Sequence, residues 1–171
     1  MAGKSTLVAV DTNFLFDLAK EDGICWKAVA TIKARIPNAI MMLPPTVIDE
    51  LAHAHDHPKT TEEHDLAAKV VANLRGNWKF NPMDLVPVGH GIVEKCAEKI
   101  RHAGLIPPEE INDSLILAES ALIECSILIT SDRHLLDVPH AKLKPLLEKG
   151  CDVACPLIIS PAKAAEFQLR R

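Results

Sequence analysis

Three short apolar runs stand out along the chain because they do not alternate with polar residues. They are Leu7-Val8-Ala9-Val10, Ala39-Ile40-Met41-Met42-Leu43 and Ser126-Ile127-Leu128-Ile129-Thr130. Runs of this length read as strands buried on both faces. Between them the apolar residues recur at helical spacing. Helices are expected from about Asn13 to Lys20, from Ile24 to about Arg35, and from Thr46, read as an N-cap, to about His55. Further helices are expected over Glu62–Leu74, capped by Thr60 or Thr61 and ended by Gly76, and over Gly91–Ala103, stopped at Gly104. Pro107-Pro108 is read as opening another, running to Glu124. Shorter ones are read around Ala141–Lys149 and over Pro161–Leu169. Leu85-Val86-Pro87-Val88 reads as a weak third strand, placed at an edge by its proline, and Asp152-Val153-Ala154-Cys155 as the last strand. Buried strands separated by helices predict an α/β fold with a parallel sheet covered on both faces. In such sheets, ligands bind beyond the carboxyl ends of the strands.

Size fits one domain: 171 residues allow a sizeable core and leave little room for two. Aromatic residues make up 4% of the chain and there is no Tyr, so Val, Ile, Leu and Ala must fill the core. That scarcity argues against a nucleic-acid binder built on many stacking platforms. The net charge of −4 does not advertise a nucleic-acid partner. It does not exclude one, since carboxylates that hold a metal ion cease to repel once the ion is bound. Five scattered Cys form neither a disulfide framework nor a four-ligand zinc pattern, and read as free thiols in a reducing compartment. The polar start Met1–Thr6 with its short apolar sequel is neither a signal peptide nor a membrane span, so a cytoplasmic protein with no membrane partner is expected.

Four acids occupy positions where an acid is out of place. Asp11 directly follows the first strand, and Asp132 follows the Ser126–Thr130 strand. Asp113 lies near the start of an almost wholly apolar helix, in Asn112-Asp113-Ser114-Leu115-Ile116-Leu117-Ala118, where a carboxylate is costly unless paired, hydrogen-bonded or metal-bound. Glu50 lies in Val47-Ile48-Asp49-Glu50-Leu51, and helix geometry alone does not choose between it and Asp49. Each has a plainer reading: a helix cap for Asp11 and Asp132, a first-turn charge for Asp113, a solvated side chain for Glu50. Asp11 and Asp132 can converge only if their strands are neighbours or nearly so.

Taken in order as strand-Asp, helix-Glu, helix-Asp, strand-Asp, these pieces resemble the PIN-domain family. Val10-Asp11-Thr12-Asn13, Val47-Ile48-Asp49-Glu50-Leu51, Asn112 to Ala118 and Ile129-Thr130-Ser131-Asp132-Arg133 carry the resemblance, and Ile158-Ile159-Ser160-Pro161 with Glu166-Phe167 looks like the family's closing helix. It spans residues 5–167. The resemblance implies a three-layer α/β/α fold, Mg²⁺ or Mn²⁺, and hydrolysis of phosphodiester bonds, most often in RNA. Many bacterial members are VapC-like toxins held inactive by an antitoxin protein, and dimers are common. Transferred to this chain, the pattern makes Asp11 and Asp113 the main ligands. Glu50, favoured over Asp49, binds through water or orients the nucleophile, and Asp132 serves a second ion or acts through water. Asn13 and Thr130 become their hydrogen-bond partners.

Two other classes fit parts of the pattern. A phosphatase of the haloacid-dehalogenase type also places Asp after its first strand, but wants a second Asp two positions on, where this chain has Asn13. A PIN-fold module that binds RNA or protein without cutting would not need all four acids. His53, His55, His57 and His64 cluster as well; Glu50, His53 and His57 share a helical face that could carry a second metal or a substrate contact, or be a solvated helix end. Lys95, Lys99 and His102 form a basic stripe that could meet phosphates or simply face water.

Overall fold

The computed structural model of the protein describes residues 4–167. Five parallel strands form one sheet in the order β3-β2-β1-β4-β5: β1 (Thr6–Val10), β2 (Ala39–Leu43), β3 (Phe80–Pro82), β4 (Ile127–Ile129) and β5 (Leu157–Ile159). Helices flank the sheet, giving the three-layer α/β/α arrangement. The first strand is central. It pairs with β2 through Thr6↔Ala39 to Ala9↔Met42, and with β4 through Val8↔Ile127 to Val10↔Ile129. Val8, Ala9 and Val10 are fully buried, which is why this strand reads as an unbroken apolar run. The chain first builds outward from β1 to β2 and β3, then returns to β1's other side. Adjacent strand ends at this reversal open a crevice.

Helices α1 (Thr12–Ala19), α2 (Gly23–Arg35), α3 (Pro45–Asp56) and α4 (Thr61–Asn73) belong to the first half. Helices α5 (Pro87–His102), α6 (Ile111–Leu122), α7 (Arg133–Leu136), α8 (His140–Pro145) and α9 (Pro161–Ala165) belong to the second. Phe14, Leu15 and Leu18 of α1 are fully buried, as are Ile116 and Leu117 of α6. Each such side chain stabilises the fold by about 1.5–3 kcal/mol. These anchored helices hold the site, because Asp11 and Thr12 open α1 and Asp113 lies in the first turn of α6.

Several elements fall elsewhere than the sequence pattern suggests. The third strand is Phe80–Pro82, paired with β2 at Met41↔Phe80, and Leu85-Val86-Pro87-Val88 is not a strand. Pro87 takes the first helical position of α5, where its fixed φ and missing N–H suit a helix start, so α5 begins before Gly91. Val86 and Val88 are apolar yet 72% and 73% exposed, so their pattern does not report burial. The last strand is Leu157–Ile159, not Asp152–Cys155; Asp152 is left-handed at φ 56° and terminates a π-helical segment, Leu146–Cys151, that continues α8. Pro107-Pro108 leads a turn, and α6 starts at Ile111. Thr46 is not a cap: Pro44 holds that place and offers no side-chain acceptor. The closing helix ends at Ala165, and Leu169 lies outside the described residues.

Candidate active site

Neighbouring parallel strands bring the first two acids together. The Asp11 N–H donates to the Ile129 carbonyl at 3.3 Å, tying the end of β1 to the end of β4. Asp11 is 3% exposed. Its Oδ1 accepts the Phe14 N–H at 2.8 Å and so caps α1; its Oδ2 accepts the Thr130 hydroxyl. Thr130 Oγ1 in turn accepts the Asp132 N–H at 2.9 Å, and Asp132 Oδ1 caps α7 through the His134 N–H at 2.7 Å. Both caps expected as the plainer reading are therefore present. They do not account for the burial of Asp11, since a capping carboxylate works equally well at a wet surface. Burial pushes the Asp11 carboxyl up to about 7. The hydrogen bonds from Thr130 and Phe14 oppose this rise, and the charges of Asp132 and Asp113 add to it.

Asp113 reaches the same place from the first turn of α6. Burial raises its carboxyl to about 6, helped by the Asp132 and Glu110 charges and opposed by His134. Its Oδ2 is buried without a hydrogen bond, and His134 Nδ1 stands 3.5 Å from it. Glu50 comes from α3 and is held at both oxygens. Thr12 Oγ1 donates to Oε2, and Asn112 Nδ2 donates to Oε1 at 2.8 Å. Thr12 and Asn112 each stand beside another acid, Asp11 and Asp113, so three elements are laced around one opening.

That opening is a cleft of about 780 Å³. Asp11, Asn13, Glu50, Asp113 and Asp132 all line it, with Thr130 behind Asp11. Asp49 lines it too, but is exposed. His53, His57 and Lys59 form a basic stretch of wall, with the two imidazoles 5.2 Å apart. His55 stacks on His64 instead, at 5.3 Å. Lys99 of the α5 stripe is tied to the Gly150 carbonyl at 2.5 Å.

Sequence reasoning passed over Glu110, His134 and Glu119. Glu110 precedes Asp113 by three residues and His134 follows Asp132 by two, and both spacings were legible. His134 Nδ1 lies 3.6 Å from Glu110 Oε1, 3.5 Å from Asp113 Oδ2 and 3.5 Å from Asp132 Oδ1. Glu119 is 3% exposed in mid-α6 and accepts from Thr46, twice from its N–H and once from its hydroxyl at 2.7 Å. It thus serves the start of α3, which Pro44 cannot cap. An acid inside Leu115–Leu122 invited the argument applied to Asp113.

Among the described residues no Lys or Arg pairs with Asp11, Glu50, Asp113 or Asp132. Oxygen donors in excess of protons and cations, one of them a buried orphan, form the donor set of a hard divalent cation. Ligand atoms of Glu110, Asp113 and His134 lie within 4.8 Å of one another; Asp11, Glu50 and Asp132 stand outside that tight group.

Comparison with known proteins bears on the family and the fold. The PIN-domain profile matches residues 8–141, which include all four acids. A chain in the crystal structure of VapBC2 from Rickettsia felis, bound to a DNA fragment from its promoter, superposes with a TM-score of 0.63. The match covers 91% of this chain and 98% of that one, at 13% identity, and so shows a shared fold. No curated protein sequence matches. No helix among the described residues is long and apolar enough to cross a membrane.

Proposed function

This chain belongs to the PIN-domain family, and we propose that it is a divalent-metal-dependent endoribonuclease, hydrolysing RNA phosphodiester bonds in the Asp11–Asp113 cleft. The observation that carries the proposal is the buried Asp113 Oδ2, which has no hydrogen bond while the charges of Asp132 and Glu110 stand around it. A carboxylate oxygen left so is destabilising by about 1–3 kcal/mol or more unless a cation meets it. Asp11 and Asp113 are the proposed holders of that cation, with Asp132 beside them. When bound, Mg²⁺ or Mn²⁺ supplies charge neutralisation at the phosphate and acidifies water.

The chain's own groups do the rest. Thr130 fixes the rotamer of Asp11 and the backbone of Asp132 together, so the two acids move as one unit. Glu50 is clamped by Thr12 and Asn112, which leaves its remaining lone pairs to orient a water for attack on phosphorus. Lys59 offers positive charge and His53 and His57 offer hydrogen-bond donors along the wall, where the backbone of a single strand would run. The neighbour's origin in a VapBC complex supports a protein antitoxin as partner.

Cleavage of labelled single-stranded RNA with Mn²⁺ or Mg²⁺ tests the proposal, beside EDTA and the Asp11→Asn and Asp113→Asn variants. Cutting that needs metal and disappears in both variants is the expected result. Metal binding with no cutting across varied RNAs would favour a PIN-fold module that binds without hydrolysing.

A further inference from the structure

The tightest group of ligand atoms lies beside the cleft, joined to it through Asp113, and is not made of acids alone. His134 Nδ1 faces three carboxylate oxygens from three residues at nearly equal distances: 3.6 Å to Glu110, 3.5 Å to Asp113 and 3.5 Å to Asp132. These separations exceed the roughly 2.7–2.9 Å of a charged hydrogen bond. They lie just above the spacing of neighbouring ligands of one ion, since two atoms each about 2.1 Å from a centre stand about 3.0–3.4 Å apart at octahedral to tetrahedral angles. A simple imidazolium pairing would collapse onto one acid, and none of the three has drawn it in. The backbone holds the ring in place, because the His134 N–H is bound to Asp132 Oδ1 at 2.7 Å. Glu110 precedes α6 at its N-cap position without capping it, which leaves its carboxylate free to turn inward.

We propose that His134 and Glu110 are ligands of the divalent cation together with Asp113, and that the imidazole nitrogen biases this site toward Mn²⁺ over Mg²⁺. The inference rests on the nuclease reading in one respect, that the cleft holds a divalent ion. Imidazole is a ligand for first-row transition ions, whereas Mg²⁺ keeps to oxygen and water. The side chain is 44% exposed, so an ion can reach the ring from solvent.

Pulsed electron paramagnetic resonance of Mn²⁺ bound to the full chain, without RNA, reads the claim directly. The wild type should show nitrogen hyperfine coupling to the bound ion. His134→Asn should lose that coupling and weaken Mn²⁺ by at least about tenfold, since even groups behind a ligand change affinity by about 10–100-fold. Mg²⁺ affinity, measured by competition, should hardly move in His134→Asn and should fall in Glu110→Gln. His134→Gln serves if the Asn variant melts abnormally. Mn²⁺ bound without nitrogen coupling, or coupling that survives in both His134 variants because His53 or His57 supplies it, overturns the assignment and leaves the nuclease reading standing. No Mn²⁺ binding by the wild type overturns both.

Discussion

Replacing Asp11 by Asn removes a buried charge and keeps the shape of the side chain. Without metal, Asp11 titrates at about 7 in the folded protein against an ordinary 3.8. A carboxyl raised in this way contributes stability that is full below about pH 3.8 and is lost as the pH climbs through about 7. Some three pH units correspond to about 4 kcal/mol at pH 8. Asparagine keeps the Oδ1 acceptor for the Phe14 N–H but turns an amide toward the Thr130 hydroxyl, which loses about 1–2 kcal/mol. The net expectation in EDTA at pH 8 is a variant more stable than wild type by about 2 kcal/mol. For a chain of this size that is a rise in Tm of about 4–8 °C. At pH 4 the order should reverse, because wild-type Asp11 is then neutral and only the lost hydrogen bond differs. Adding Mn²⁺ should stabilise wild type more than Asp11→Asn. Thermal melts by circular dichroism at the two pH values, with EDTA and then with Mn²⁺, test all of this. A variant less stable than wild type at pH 8 in EDTA would refute the reasoning, since it would mean the buried carboxylate stabilises the metal-free fold.

Other substitutions separate support from chemistry. Glu119→Ala leaves the Thr46 N–H and hydroxyl buried without acceptors and should lower stability by about 3 kcal/mol, seen as a Tm drop of about 9 °C; Glu119→Gln, which keeps an acceptor, should cost less than half of that. Thr12→Val releases one oxygen of Glu50, and should slow RNA cleavage by about 10–100-fold with Mn²⁺ binding retained. Asp113→Asn should relieve the metal-free protein in the same direction as Asp11→Asn but by less, because its carboxyl titrates at about 6.

The parts of the fold that the sequence announced are those where burial alone decides. β1, β2 and β4 are central, covered on both faces, and appear as apolar runs with boundaries correct within a residue or two. The edge strands were hidden. Phe80-Asn81-Pro82 has three residues, one of them a proline, and is held by pairing with β2, which no local pattern encodes. Leu157–Ile159 is equally short, and the left-handed turn at Asp152 displaced it from the expected place. At the site, Asp11, Asp113 and Asp132 were visible because each breaks an apolar context at a strand end or helix start. Their supports were less visible. Thr12 and Asn112 clasp Glu50 across 38 and 62 residues of chain, contacts that exist only once α1, α3 and α6 meet. His134 and Glu110 were near enough in sequence to be suspected, and were eclipsed by the acids beside them.

Anomalous diffraction from a crystal of the full chain grown with Mn²⁺ tests the central claim most directly. The account predicts a peak in the cleft within bonding distance of the Asp113 carboxylate, with Asp11 and Asp132 turned toward it, and no such peak in Asp113→Asn. Crystals saturated with Mn²⁺ that show no density in the cleft would contradict it, and Asp11, Glu50, Asp113 and Asp132 would then be caps and solvated charges on a PIN scaffold.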